Sequence, residues 1–142
     1  MLSQPVRSII GQHGFVTAPP SATVRQAAEL MARRHVGAVV VVEDDHLVGI
    51  FSERDAVFRV VARGLEPATT PLAQVMTPAP VTIGPERSFG HAMAVMQQHH
   101  CRHLPVVEDG LPIGIVSARN ALDPALEDFV CEERRRRSFE AG

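Results

Sequence analysis

Apolar positions along this chain follow two periods in turn, and the succession occurs twice. Val24, Ala27, Ala28 and Met31 fall at the i, i+3, i+4, i+7 spacing of an amphipathic helix, and so do Phe89, Ala92, Met93 and Met96. Thr23 and Ser88 precede these runs, where a hydroxyl accepts a first-turn backbone N–H, so each is predicted to cap its helix. Short β-branched runs follow in pairs, Ala38 to Val42 with Leu47 to Phe51, and Leu104 to Val107 with Leu111 to Val116. Asp109-Gly110 supplies the positive-φ residue of a tight hairpin. A short extended piece opens each unit, Phe15 to Thr17 or Val81 to Ile83. A second helix closes it, from about Glu53 to Arg63 and from Ala118 toward Pro124. The predicted order is β-α-β-β-α, twice.

Sliding the sequence by 65 positions aligns Val16 to Val57 with Val81 to Leu122 without a gap. Val16, Thr17, Pro20, Ala27, Met31 and His35 match Val81, Thr82, Pro85, Ala92, Met96 and His100. Val41-Val42-Glu43-Asp44 match Val106-Val107-Glu108-Asp109. Gly49, Ile50, Ser52, Arg54 and Ala56 match Gly114, Ile115, Ser117, Arg119 and Ala121. Such a repeat identifies the architecture before any single motif does. A repeat of about 60 residues buries a modest fraction of its surface, so the copies are expected to pack face to face along their sheets. The join is read at Gly64 to Pro71, where Pro, Gly and Thr interrupt helical periodicity, and PVRSII at Pro5 to Ile10 resembles PLAQVM at Pro71 to Met76. The expected organisation is residues 1–70 as a first repeat with its N-terminal helix, 71–125 as the second repeat, and 126–142 as a helical tail. The fold class is α+β.

Composition narrows the function classes. Hydrophobic residues at 45% and charged ones at 21% suit a globular protein rather than a disordered one. The longest strongly apolar run, Gly37 to Val42, is far short of a membrane span. No secretory signal is visible at MLSQPVRSII, so a cytoplasmic location is expected. The net charge of −2 argues against broad phosphate-backbone neutralisation and makes nucleic acid an unfavoured partner. All 14 basic residues other than histidine are arginine, which excludes mechanisms built on a Schiff-base or P-loop lysine. The 2 cysteines, Cys101 and Cys131, are too few for a disulfide framework.

Three motifs carry the resemblance to a known family: Ala27-Ala28-Glu29-Leu30-Met31; Arg102-His103-Leu104-Pro105-Val106-Val107; and Gly49-Ile50-Phe51-Ser52-Glu53-Arg54-Asp55 with its copy Gly114-Ile115-Val116-Ser117-Ala118-Arg119-Asn120. Over roughly residues 5–125 the chain resembles the CBS domains, named for cystathionine β-synthase. The resemblance implies a pseudo-twofold pair of repeats, dimerisation into a flat disc, and clefts that hold adenosyl ligands such as AMP, ADP, ATP, NAD or S-adenosylmethionine. It implies a regulatory module without catalysis or a required cofactor, similar to the stand-alone members, with an effector protein yet to be named.

Candidate binding residues follow. Ser52 and Asp55 are spaced as a capping box, in which each bonds the other's backbone N–H. The same geometry suits a nucleotide: Ser52 donates, and an Asp55 carboxylate accepts from ribose hydroxyls. The family uses this Ser/Thr and Asp on ribose or phosphate. Gly49 is read as a place where a ligand approaches the backbone. The family also faces this acid with the other repeat's helix-to-strand corner, so the first cleft is expected to comprise Ser52, Arg54, Asp55, Thr82, Arg102, His103, Leu104 and Pro105, with Arg102 gripping phosphate through its planar fork. The second cleft would comprise Thr17, Gly37, Ala38, Ser117, Arg119 and Asn120. Asn120 lacks the charge-assisted strength of a carboxylate, so the Asp55 cleft is the expected adenine-nucleotide site. For Arg54 and Arg119 the alternative is a solvated surface arginine, and for Thr17 and Thr82 mere β propensity.

The run His99-His100-Cys101-Arg102-His103 raises a zinc or redox sensor as a competing reading. Its spacing matches no common structural zinc pattern, consecutive positions point in different directions, and His100 repeats His35, which favours a shared structural cause. No metal is expected. The tail places Leu126, Phe129 and Val130 at helical spacing before Glu132 to Arg137, read as a solvated helix end. A ligand-free dimerisation scaffold is the remaining alternative.

Overall fold

The computed structural model describes residues 1–11, 14–121 and 135–137. Its first elements are α1 (Val6–Ile10), β1 (Thr17–Ala18) and α2 (Val24–Arg34), followed by β2 (Ala38–Glu43), β3 (His46–Ser52) and α3 (Glu53–Asp55). α3 runs directly into a π-helical stretch, Ala56–Val61. After the linker come α4 (Leu72–Val75), β4 (Thr77–Pro78), α5 (Phe89–His99), β5 (His103–Glu108) and β6 (Leu111–Ser117), and then a 3-10 turn at Ala118–Ala121. Of the tail, only residues 135–137 are described, as helix; Leu126, Phe129, Val130 and Cys131 lie outside the described residues. None of the described helices is long and apolar enough to cross a membrane.

Local chemistry accounts for the element boundaries. Thr23 accepts from the Gln26 N–H at 3.1 Å while the Gln26 side chain accepts from the Thr23 N–H at 2.9 Å, a complete capping box. Ser88 caps α5 through the His91 N–H at 3.1 Å. Both helices end in a left-handed histidine, His35 and His100, each at φ 54°. The residue beyond then bonds back into the helix: Val36 N–H to Met31 O at 3.1 Å, Cys101 N–H to Met96 O at 3.0 Å. The repeated histidine thus occupies the same structural position in both copies, the left-handed end of its helix. The hairpins turn through Asp44-Asp45 (φ 52° and 65°) and Asp109-Gly110 (φ 53° and 81°), positive-φ pairs that match the strand twist. Each carries a bulge at the same place, Val41/Val42 and Val106/Val107.

Three expectations need correction. The opening strand lies at Thr17–Ala18 rather than Phe15 to Thr17, because Thr17 and Ala18 pair in parallel with Val40 and Val41. In the second copy only Ile83, and none of Val81 or Thr82, bridges to the neighbouring strand, at Val106. The second helix of the first repeat is not a uniform α-helix but widens into π geometry after Asp55, and Gly64 at φ 68° ends the turns that follow.

The two repeats exchange their leading helices. Val6, Ile9 and Ile10 of α1 are buried in the core of the second repeat with Phe89, Ala92, Met96, Leu104, Val106 and Val116. Leu72 and Val75 of α4 are buried in the core of the first with Ala27, Met31, Val39, Val41 and Phe51. Backbone bonds repeat the exchange: Val6 N–H to Arg87 O and Leu72 N–H to Ala22 O, each at 2.8 Å. The glycines of β3 and β6 make it possible, since a Cβ at Gly49 would strike the Met76 thioether and one at Gly114 would come within 2.8 Å of Ile10 Cδ1. Gly49 is therefore occupied by Met76, not left open for a ligand. On the opposite sheet face, the buried cross-strand pair Val40 and Ile50 belongs to neither core, and β3 contacts β6. The repeats thus meet sheet against sheet in a pseudo-twofold pair.

Candidate functional site

The site forms where β3 turns into α3. Ser52 is the last extended residue (φ −112°, ψ 168°), and its Oγ accepts from the Asp55 N–H at 3.3 Å. Asp55 Oδ2 accepts in return from the Ser52 N–H at 3.0 Å and the Ser52 hydroxyl at 3.2 Å. The capping box is complete, and Asp55 is only 7% exposed. Its second oxygen, Oδ1, is held more loosely. The Thr77 hydroxyl donates to it at 3.4 Å, and Arg59 Nε lies 3.5 Å away. Neither Thr77 nor Arg59 was anticipated from the sequence. Arg59 stands four residues after Asp55, an ion-pair spacing that was readable, whereas Thr77 reaches Asp55 only through the β3–β4 pairing of Ile50 with Thr77.

The second repeat reproduces half of this arrangement. Asn120, also 7% exposed, accepts through Oδ1 from the Ser117 N–H at 2.8 Å and the Ser117 hydroxyl at 3.3 Å. Since the amide oxygen is engaged there, the group left without a partner among the described residues is the Nδ2 donor. Asn120 thus turns its oxygen to Ser117 and presents an N–H on its other side.

His103 joins the repeats. Its Nε2 would lie 3.0 Å from a Cβ at Gly37, and the Glu53 carboxylate crowds the same point. Gly37 and His103, assigned from sequence to different clefts, therefore meet at one seam. Ala38 and His103 are the pseudo-equivalent first strand positions, opposite Ser52 and Ser117. Burial lowers the His103 pKa below the ordinary imidazole value; Glu53 and Asp55 oppose this, while Arg119 and Arg102 reinforce it. Asp55, Arg102 and His103 thus share one electrostatic neighbourhood.

The other predicted residues separate. Arg102 is exposed, and its carbonyl accepts from the Ala118 N–H at 2.9 Å. Arg54 is also exposed, with its guanidinium 5.0 Å above the Phe58 ring. Leu104 faces the core of the second repeat and Pro105 is buried, so their side chains hold the strand. Thr17, Thr82 and Arg119 are exposed. Cys101 is half-buried, and desolvation pushes its thiol pKa up, away from nucleophile chemistry. It lines an open apolar groove of about 530 Å³ with Leu2, Met93 and Gln97, which none of the predicted site residues reaches. Among the described residues no three His, Cys, Asp or Glu side chains are grouped to hold a metal ion.

Comparison with known proteins matches this geometry. The family model for the CBS domain fits twice, over residues 6–62 and 72–126. The CBS domain-containing protein YhcV of Bacillus subtilis is 38% identical over 101 residues, covering 71% of each chain. CBS domain-containing protein CBSCBSPB5 of Arabidopsis thaliana is 34% identical over 128 residues, and the chain spans only 22% of its length. Among solved structures, a putative signal-transduction protein with CBS domains from Burkholderia ambifaria superposes with a TM-score of 0.79 at 30% identity, covering 88% of this chain and 96% of that one. The CBS domain protein PAE2072 of Pyrobaculum aerophilum, solved as a complex with AMP, gives 0.76 at 26% identity, covering 90% and 98%. Doubled motif, exchanged helices and these matches agree: the chain belongs to the CBS domain family, as a tandem pair.

Proposed function

We propose that this protein is a regulatory ligand-sensing module that binds an adenine nucleotide of the AMP, ADP or ATP class at the Asp55 cleft, with no catalysis and no required cofactor. The observation that carries the reading is the state of the Asp55 carboxylate. It is buried and fixed through Oδ2 by two Ser52 donors, while among the described residues Oδ1 has only two long contacts. An oxygen so presented has capacity for a ribose hydroxyl. Arg102, exposed and one residue before His103 in the chain, offers a phosphate a planar donor fork. Ser52 orients the acid and His103 closes the seam. The AMP complex of the Pyrobaculum protein supports this ligand class. The second cleft, with Thr17, Ala38, Ser117, Arg119 and Asn120, is the weaker site, because the neutral Asn120 amide, its oxygen already held by Ser117, lacks the charge-assisted strength of a carboxylate.

The reading includes a homodimer and an effector protein. Val57, Phe58 and Val61 are 52%, 56% and 70% exposed on one stretch of helix, an apolar ridge suited to a second copy of the chain. Sedimentation at micromolar concentration should give a dimer, weakened by Val61→Glu; a monomeric wild type removes this part of the reading. Titration calorimetry with AMP, ADP and ATP tests the ligand: binding lost in Asp55→Ala and retained in Asn120→Ala supports it, and absence of binding at millimolar nucleotide refutes it.

A further inference from the structure

We propose that Arg59 and Thr77 couple the Asp55 carboxylate to the α4–β4 segment that opens the second repeat, so that occupying this cleft loosens residues 72–79. The ligand part of this proposal rests on the nucleotide reading above; the coupling itself does not.

The coupling is built from three contacts. Arg59 extends from the π-helical stretch with its Nε 3.5 Å from Asp55 Oδ1, and its Nη1 donates to Met76 O at 2.9 Å and Val75 O at 3.5 Å. One guanidinium therefore binds both the candidate ligand acid and the last carbonyls of α4. Thr77 Oγ1 donates to the same Oδ1 at 3.4 Å from the first residue of β4, the two-residue strand that pairs with Gly49 and Ile50. The backbone beyond is weakly tied, with Ala79 N–H reaching Val48 O at 3.3 Å. A hydroxyl donating to Oδ1 competes with the two long contacts and leaves the Ser52 bonds to Oδ2 intact. The α4–β4 segment then loses its hold on the acid without the acid losing its position. Arg59 is a positioning residue in this scheme, and the α4–β4 segment is the element that reports.

The internal repeat strengthens the assignment. Where the first copy has Asp55 with Arg59 four residues on, the second has Asn120 with Pro124 four residues on. Acid and arginine are replaced together. The second copy can neither form the ion pair nor, with its amide oxygen held by Ser117, accept at the corresponding oxygen. The coupling is one-sided, and α1, the counterpart of α4, should not respond.

Hydrogen–deuterium exchange of the full chain tests this, with peptides covering residues 72–79 and 5–11 followed with and without AMP at a concentration that calorimetry shows to be saturating. Exchange at 72–79 should rise about fivefold with AMP, the factor one net hydrogen bond carries, while 5–11 stays unchanged. Arg59→Gln, with AMP raised to restore full occupancy, should lose this increment, and Arg59→Lys should keep part of it. Unchanged or slower exchange at 72–79 in a wild type that binds AMP overturns the coupling and leaves the nucleotide reading standing. If no AMP binds, the nucleotide reading fails, and ligand-free Asp55→Asn decides the coupling. This change copies the second repeat and should raise exchange at 72–79 and not at 5–11; exchange equal to wild type refutes the proposal. Thr77→Val, which adds no charge and removes only the hydroxyl, should reproduce part of the Asp55→Asn effect if Asp55→Asn proves too unstable to measure.

Discussion

Gly114→Ala and Gly49→Ala should have different costs, although the two glycines are equivalent in the repeat. At Gly114 an added Cβ comes within 2.8 Å of Ile10 Cδ1 and 3.2 Å of Ile10 Cβ. The latter atom is tied to the α1 backbone, so helix and strand must separate. At Gly49 the collision is with the Met76 side chain at its sulfur, its Cγ (3.0 Å) and its methyl (3.1 Å), all atoms of an unbranched chain that can swing away together. Overpacking a core costs about 1–3 kcal/mol, and replacing a strand glycine by alanine returns roughly 0.5–1 kcal/mol of chain entropy. Gly114→Ala is therefore expected to lose about 1–2 kcal/mol, and Gly49→Ala to stay within about 0.5 kcal/mol of wild type. Urea denaturation followed by circular dichroism measures both, with an unchanged m-value guarding the comparison. Ile10→Val removes the Cδ1 atom that makes the shortest contact, so the double variant Ile10→Val/Gly114→Ala should be more stable than the sum of the single changes implies. Equal costs at the two glycines, or strict additivity of Ile10 with Gly114, would refute the exchange of leading helices on which the fold account rests.

Two further outcomes follow from other parts of the seam and cores. His103 has its pKa lowered in the folded state, chiefly by burial, so below about pH 6.5 the unfolded chain takes up the proton first. Stability should be full above that pH and fall as the pH drops through the folded value, and His103→Gln should flatten this slope in thermal melts between pH 5 and 7.5; an unaltered slope contradicts the burial argument. His35→Gly and His100→Gly should each stabilise by about 1 kcal/mol, because both histidines sit at φ 54° where glycine is unstrained. Chemical denaturation showing a loss at both positions would mean that the imidazoles hold the helix ends in some other way.

Periodicity and caps made much of this fold legible. Thr23, Ser88 and the Asp109-Gly110 turn stand where local chemistry requires them, and the 65-residue offset carries the whole architecture. The exchange of α1 and α4 was not legible, because nothing in helices of five and four residues states which of two equivalent sheets each will cover. The π geometry after Asp55 was equally hidden, since Ala56 to Val61 has an ordinary helical composition. At the site, the Ser52–Asp55 box could be read from spacing alone, but the orientation of the Asn120 amide depends on which of its ends meets Ser117. Arg54 illustrates the limit of motif reasoning: its first-turn position suggests phosphate, while the adjacent turn supplies Phe58 as a platform.

The most direct measurement is nucleotide affinity in Asp55→Ala beside Asn120→Ala, by titration calorimetry with AMP, ADP and ATP and with each variant's ligand-free stability recorded separately. Losing the box at Ser52 and Asp55 lowers stability by about 1 kcal/mol with or without ligand, so only the binding constant counts. Removing a charge-assisted ribose contact costs about 1.5–3 kcal/mol, roughly tenfold or more in affinity. The account predicts that loss in Asp55→Ala and near-wild-type binding in Asn120→Ala. No binding to the wild type, or equal affinity in wild type and Asp55→Ala, would contradict it.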